Sequence, residues 1–300
     1  MPPRWRDLPK IDFHAHVVLH ERENTDLVVN RPERLLDEMN THGIEAAVVL
    51  PINYPSYFPL RADEQADWVA ANNDRQAALM HESGGRFLAF ADVGVTEGYE
   101  RAARLEAELV RAVERLGLRG IKVHPTNLKL AADDPRLLPA VDVAERYGLP
   151  LVFHSNPAAR DRDFYGSAPS RVYRAMHGRN PSYVLAHLGG VAYLESLAGE
   201  CHVGISGTIL WLLELYGPSF CRALLRRIGV ERVVFGSDVP IYAYEAYDDV
   251  FDALRLTTTE MELIAYGNAR APAPPPARRL RRGTSPPPSL PAEDTPPRHG

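Results

Sequence analysis

The chain has 300 residues, of which 45% are hydrophobic, so it can bury the core of one large domain or of two ordinary ones. Its formal net charge of −5 argues against a nucleic-acid-binding surface on the main body. Two cysteines do not suggest a disulfide framework, and no stretch approaches the roughly 18 apolar residues of a membrane span, so we expect a soluble, cytoplasmic protein.

Short apolar segments alternate with segments of helical spacing along the chain. The predicted strands are residues 11–16, 44–50, 86–92, 119–124, 151–154, 182–187, 201–205 and 232–236. The predicted helices are residues 32–42, 62–82, 105–116, 135–147 and 170–177, a segment opening at Gly189, a segment around Phe220, Leu224 and Ile228, and residues 246–256 and 259–265. Residues 206–216 read as a mixed loop before the seventh long helix.

Eight strand–helix units over about 270 residues predict an α/β fold of the closed (β/α)8, or TIM-barrel, type. The strands are apolar on both faces, as a sheet covered by helices requires. An open doubly wound sheet is the alternative, and it normally carries a Gly-rich phosphate turn after its first strand. Here the first strand ends instead in His-Ala-His.

The composition changes sharply at residue 271, where Pro and Arg become dominant and large apolar residues almost disappear. Such a segment cannot bury enough surface to offset its ordering entropy, so we expect residues 1–270 to form the barrel domain and 271–300 a disordered tail. The tail carries five arginines against Glu293 and Asp294. A basic arm or a proline-motif ligand is one interpretation of it, and a dispensable extension is the one we favour.

The carboxyl ends of the strands carry the functional residues of a (β/α)8 barrel. The residues at these ends, or just past them, are His14, His16, Lys122, His124, His154, His187 and Asp238. Because residues two apart on a strand share a face, His14 and His16 point the same way. Imidazoles and a carboxylate gathered on one rim are ligands of a divalent metal, so the joint pattern predicts a metal site that a lone His-x-His would not.

Five short motifs carry a family resemblance: IDFHAH, GIKVHP, LVFHSNP, VLAHLGG and VVFGSD, in this order. Together they resemble the amidohydrolase superfamily, and within it the amidohydrolase-related (amidohydrolase 2) branch of TIM-barrel metal-dependent hydrolases similar to aminocarboxymuconate-semialdehyde decarboxylase. The resemblance covers about residues 10–270.

The resemblance implies a role for each matched position. His14, His16, His154 and Asp238 match metal ligands, and Asp238 also matches the acid that handles a proton. His187 matches the histidine that acts beside the metal on the substrate or on water. The implied cofactor is a divalent ion, with Zn²⁺ the first choice and Mn²⁺ or Fe²⁺ as alternatives, because all three share these ligands.

Other residues near the expected rim carry more than one interpretation. Lys122 matches the carboxylated lysine that bridges two ions in some branches, but we favour a lysine cation that binds an acidic substrate or pairs with a core acid. His124, Arg160 and Arg162 are further candidates for substrate binding, although solvated loop arginines are an equally good interpretation of the last two. Asp12 is either a carboxylate that orients a ligand or an ordinary strand residue.

Two chemistries fit this set of residues. The first is hydrolysis of a small, carboxylate-bearing amide, ester or lactone by an activated water, and the second is non-oxidative decarboxylation of an aromatic or unsaturated acid. A non-catalytic barrel that binds partners through its tail is a third interpretation, which the intact ligand set argues against. The expected partner is a small-molecule substrate, with no nucleic acid and no membrane, and a homodimer is compatible with the sequence.

Overall fold

The computed structural model describes residues 3–17, 31–51, 62–94, 99–155, 168–179, 182–191 and 201–270. Its strands are β1 Lys10–Ala15, β2 Ile44–Val49, β3 Phe87–Ala89, β4 Ile121–Val123, β5 Leu151–Phe153, β6 Tyr183–Leu185, β7 His202–Gly204 and β8 Val233–Val234. Its α-helices are α1 Pro32–Thr41, α2 Ala62–Glu82, α3 Tyr99–Glu114, α4 Pro125–Leu128, α5 Leu138–Tyr147, α6 Pro169–Met176, α7 Thr208–Ile228, α8 Glu245–Leu254 and α9 Thr258–Glu262. The predicted (β/α)8 fold is confirmed.

The strands form a closed parallel ring. Regular pairing joins β1 to β3 in one set and β4 to β8 in another, in chain order. Parallel bridges between Ala91 and Ile121 and between Ala15 and Val239 connect the two sets at both junctions. At the second junction the Asp238 amide donates to the His14 carbonyl at 2.7 Å, which brings the first and last strands together at their carboxyl ends.

Side chains on the two faces of the ring build two apolar clusters. The larger cluster contains Ile121 and Val123 of β4 together with residues of the surrounding helices, such as Leu109. The smaller one includes Val152 and Val184, whose backbones pair with each other and belong to the neighbouring strands, so it fills the inside of the barrel. Because side chains alternate along a strand, Lys122 faces this interior, where its side chain is 1% exposed.

Strand β1 departs from regular pairing around His14. Its register against β2 shifts between Asp12 and Ala15. As a result Phe13 belongs to the inner cluster, whereas Ala15, two residues on, belongs to the outer one. Irregularities of this kind re-aim side chains at the rims of barrels.

The prediction of a loop at residues 206–216 is wrong, because this segment begins helix α7. Ile209 and Leu212 are buried at helical spacing. Gly217, with φ 77°, and Pro218 kink the helix instead of ending it. A helix was also expected to begin at Gly189, but His187–Val191 forms one tight turn there. Residues 192–200 lie outside the described ranges.

The amino-terminal segment lies against the last helices of the barrel. Trp5 stacks on Phe251 of α8 with ring centroids 3.6 Å apart. The Lys10 ammonium, 5.5 Å from the Trp5 ring, donates to the carbonyl oxygens of Leu8 and His42, each at 2.8 Å. No helix in the described ranges is long and apolar enough to cross a membrane.

Candidate active site

Three side chains from the junction of β1 and β8 converge at the carboxyl end of the barrel. The Nε2 atoms of His14 and His16 are 3.0 Å apart. Oδ1 of Asp238 is 3.3 Å from the first and 3.2 Å from the second. All three residues are buried.

The far nitrogens of both β1 histidines are anchored. Nδ1 of His16 contacts the backbone oxygen of Leu50, at the end of β2, at 2.8 Å. A carbonyl oxygen can only accept, so the hydrogen of the neutral His16 ring lies on Nδ1 and the lone pair lies on Nε2. Nδ1 of His14 contacts the hydroxyl of Ser206, past the end of β7, at 2.8 Å. In both rings Nε2 is therefore the atom presented to Asp238.

Asp238 is presented by a strained backbone. Its φ is 64°, in the left-handed region that residues other than Gly rarely adopt. Burial raises the pKa of this carboxyl, but the close contact with His16 and the positive charges around it prevail and hold the pKa below its ordinary value. Asp238 is therefore ionised near neutral pH and can act as an acceptor or a ligand.

His187 leaves its strand through a left-handed turn. Every residue of His187–Val191 has a positive φ, between 51° and 63°. This conformation turns the ring so that Nδ1 lies 3.3 Å from the backbone oxygen of Ser206 and 3.9 Å from Oδ2 of Asp238. Its other nitrogen, Nε2, is 3.1 Å from Nδ1 of His154. His187 thus joins the β5 histidine to the carboxylate of Asp238.

His154 and His124 form a stacked pair beside His187. Their ring centroids are 3.8 Å apart and their planes differ by 11°. The backbone N–H of Asn127, in the short helix α4, donates to Nδ1 of His124 at 3.3 Å. Because that nitrogen accepts, the hydrogen of the neutral His124 ring lies on Nε2, which makes His124 a donor.

Lys122 is a buried lysine inside the same cluster. Among the side chains that the structure describes, its ammonium group belongs to the few buried polar groups without a hydrogen-bond partner. Burial lowers its pKa to about 7, although the charge of Asp238 acts to raise it. The pKa values of His14, His124 and His154 lie well below the ordinary value. Burial is the largest cause, and the charge of Lys122 or of neighbouring histidines adds to it, so these rings are neutral.

Asp12 supports the backbone of the site. One of its carboxylate oxygens accepts the N–H groups of His14 and Ser237, each at 2.9 Å. The other accepts the hydroxyl of Tyr244 at 2.8 Å and that of Ser237. Burial raises the pKa of Asp12 to about 6, although these hydrogen bonds act to lower it. The carboxylate thus holds β1 to the segment after β8 and does not contact the His14 ring.

The residues present suit a divalent cation. Ligand atoms 2.0–2.2 Å from one ion lie about 2.8–3.6 Å apart in octahedral and tetrahedral arrangements. The mutual distances of the His14, His16 and Asp238 atoms, from 3.0 to 3.3 Å, match this spacing. Within the described ranges these three residues form the metal-type group, while His154 contacts His187 instead. That His154 is also a ligand stays a prediction.

Two expected residues lie outside the described ranges, and one residue of the site was not expected. Arg160 and Arg162 lie outside the described residues. Ser206 was not predicted, because a serine after a short strand carries no metal-ligand signal. Its position past the end of the seventh strand was the available clue.

A family model described as "Amidohydrolase" matches residues 11–271. None of the curated proteins matches the sequence.

Solved structures share the fold at low sequence identity. The 2,6-dihydroxybenzoate decarboxylase from Rhizobium is 18% identical, with a TM-score of 0.68 over 88% of this chain and 98% of the other. The 5-carboxyvanillate decarboxylase from Sphingomonas paucimobilis is 16% identical, with a TM-score of 0.66 over 88% and 98%. A dihydroxybenzoic acid decarboxylase from Polaromonas sp. JS666, with bound manganese and the inhibitor 2-nitroresorcinol, is 17% identical, with a TM-score of 0.66 over 88% and 96%.

Proposed function

The chain belongs to the amidohydrolase family, and from this membership we propose that it hydrolyses a small, carboxylate-bearing amide, ester or lactone. Membership makes it a metal-dependent enzyme, a hydrolase or a carboxy-lyase. The observation that carries the hydrolytic proposal is the ionised carboxylate of Asp238, which lies 3.2–3.3 Å from two anchored histidines and can accept a proton from water.

His14, His16 and Asp238 would hold the ion, with His154 as a further ligand. A divalent ion bound there would act as a Lewis acid and lower the pKa of a coordinated water. Zn²⁺ suits two imidazoles and a carboxylate, and the manganese reported for the Polaromonas enzyme makes Mn²⁺ an equal candidate.

The chain's own groups divide the proton transfers. Asp238 takes the proton of the attacking water, since its pKa lies below the ordinary value and it is charged at neutral pH. His187, whose Nδ1 is 3.9 Å from Oδ2 of Asp238, stabilises negative charge on the substrate oxygen or passes the proton to the leaving group. The left-handed turn holds its ring in place for this role.

Lys122 and His124 are our candidates for binding the acidic part of the substrate. The Lys122 ammonium is buried and, within the described part of the chain, lacks a hydrogen-bond partner, so an incoming carboxylate would supply one. His124 offers the N–H of Nε2. A carboxylated Lys122 bridging two ions is the alternative, and near two ions per purified chain would establish it.

Decarboxylation of an aromatic or unsaturated acid is the second candidate. It is favoured by the three similar structures described above, all decarboxylases of aromatic acids. In that reaction the metal site and Lys122 would orient the acid while CO2 leaves. The residues assigned to the site are the same for both chemistries.

A substrate screen tests the proposal. Metal-free protein is reloaded with Zn²⁺ or Mn²⁺ and offered lactones, amides and esters of small acids, together with dihydroxybenzoates, while hydrolysis and CO2 release are recorded separately. We expect metal-dependent hydrolysis of at least one carboxylate-bearing compound. CO2 release without hydrolysis would transfer the assignment to the second candidate.

The matched variant is Asp238→Asn, which keeps the size of the side chain and removes its charge. We expect the rate on the best substrate to fall by about 10²–10⁴-fold, the usual contribution of a general base. An undiminished rate in the metal-loaded variant would exclude both catalytic assignments.

A further inference from the structure

Ser206 contacts two histidines of the site through two different atoms. Its hydroxyl lies 2.8 Å from Nδ1 of His14, and its backbone oxygen lies 3.3 Å from Nδ1 of His187. The residue is fully buried, 0% exposed. Ser206 follows β7, the strand that otherwise supplies nothing to the three-residue metal group.

The Ser206 hydroxyl can fix the orientation of the His14 ring, as the Leu50 carbonyl does for the His16 ring. When Nε2 of His14 donates its lone pair to a metal, the hydrogen of the neutral ring must lie on Nδ1. That N–H then needs an acceptor, and within the described residues the Ser206 oxygen is the partner at hydrogen-bond distance. For His16 the Leu50 carbonyl has the corresponding position at 2.8 Å.

We propose that Ser206 is a positioning residue for the metal: its hydroxyl accepts the Nδ1 hydrogen of His14 and so directs Nε2 towards a divalent cation shared with His16 and Asp238. This inference rests on the proposed metal site and adds a residue from a strand that supplies no ligand. Hydrogen bonds from outside the ligand shell fix the ring orientation and raise the basicity of a coordinated imidazole.

The surroundings of Ser206 are built for this close approach. A Cβ on Gly236, just past β8, would lie 2.9 Å from Cβ of His14 and 3.3 Å from the Ser206 hydroxyl, so only glycine leaves the two side chains room to meet. Gly207, the residue after Ser206, has φ 54° and donates its N–H to the Tyr247 hydroxyl at 2.8 Å. The backbone next to Ser206 is therefore held in place.

Ser155 offers a matched control. It is also 0% exposed and lies just past the end of a strand, but its hydroxyl donates to the backbone oxygen of Ala186 at 2.7 Å rather than contacting a histidine ring. Ser206→Ala and Ser155→Ala thus each delete one buried hydroxyl and its hydrogen bond. A purely structural role would give the two variants the same behaviour.

The experiment measures Zn²⁺ affinity of metal-free full-length protein by competition with a chromophoric chelator, alongside the melting temperature without metal. We expect S206A to bind Zn²⁺ about 10–100-fold more weakly than wild type, S155A to stay within about threefold, and both metal-free variants to melt at similar temperatures. The inference would be overturned if S206A bound Zn²⁺ as tightly as wild type, or if S155A lost as much Zn²⁺ affinity as S206A. It would also be overturned if wild type bound no Zn²⁺.

A second measurement needs no variant. The imidazole ¹⁵N spectrum of Zn²⁺-loaded wild-type protein should show His14 with its hydrogen on Nδ1 and its metal on Nε2, whereas ligation through Nδ1 would overturn the inference. Both readouts are independent of turnover. If wild type binds Zn²⁺ as described but no substrate is hydrolysed or decarboxylated, the proposed function fails and the role of Ser206 stands.

Discussion

At the scale of single residues, two of the proposed catalytic groups stand on strained backbone. His187 has φ 57° and Asp238 has φ 64°. Such conformations cost of order 1–3 kcal/mol each and persist where the surrounding contacts impose them. At Asp238 the surrounding contacts include the hydrogen bond from its own N–H to the His14 carbonyl. The strain therefore sits where a side chain must be turned towards the metal group.

A second buried lysine gives a residue-scale prediction for stability. Burial lowers the pKa of Lys10 to about 8 from 10.5, so between these values the unfolded chain binds more protons than the folded one. The contribution of Lys10 to the free energy of unfolding is therefore fully present above pH 10.5 and is lost as the pH falls to about 8. Relative to Lys10→Met, the unfolding free energy of metal-free wild type should rise by about 2–3 kcal/mol across this window.

Urea titrations of both proteins at several pH values check this expectation, because other titrating groups are common to the two. Parallel curves from pH 8 to 10.5 would contradict it. The absolute stability of the variant should also be lower, since the carbonyl oxygens of Leu8 and His42 lose their donor.

At the scale of elements, the site depends on holding the first and last strands side by side. The Asp12 carboxylate accepts four hydrogen bonds, from two N–H groups and two hydroxyls on β1, on the segment after β8 and on Tyr244. We expect Asp12→Ala to lower the unfolding free energy of metal-free protein by about 3–5 kcal/mol, because several buried donors lose their acceptor.

Asp12→Asn is the matched variant, since its amide oxygen can still accept the two N–H groups. It should lose less than half as much as Asp12→Ala in denaturant unfolding. Equal losses in the two variants would mean that the charge, and not the acceptor geometry, holds the strands together.

How far the sequence predicts these elements depends on the kind of signal. The barrel follows from eight apolar strands, and the rim residues follow from their positions at strand ends, which is why His14, His16 and Asp238 could be expected to meet. The start of α7 was missed because the segment mixes polar and apolar residues, whereas tertiary packing of Ile209 and Leu212 makes it helical up to the kink at Gly217. Ser206 and the left-handed turn at His187 depend on tertiary contacts that no local pattern reports.

At the scale of the whole molecule, we propose that residues 1–270 are a self-sufficient domain. The described core and the candidate site lie within them, and the family match ends at residue 271. A chain ending at Arg270 should therefore keep the melting temperature within about 3 °C and the metal affinity of the full chain. A larger loss would assign the last thirty residues, 271–300, a part in the fold or the site.

Metal binding should also stabilise the whole barrel. An ion that binds only the folded state adds about 2.7 kcal/mol at a free concentration one hundred times its Kd, and the proposed ligands come from the first and last strands of the ring.

The most direct measurement is the metal stoichiometry and affinity of wild type against His16→Ala, using Zn²⁺ and metal-free protein. We predict one tightly bound ion per wild-type chain, a higher melting temperature on loading, and loss of both effects in the variant. A variant that still binds one ion with wild-type affinity would contradict a metal centre at His14, His16 and Asp238.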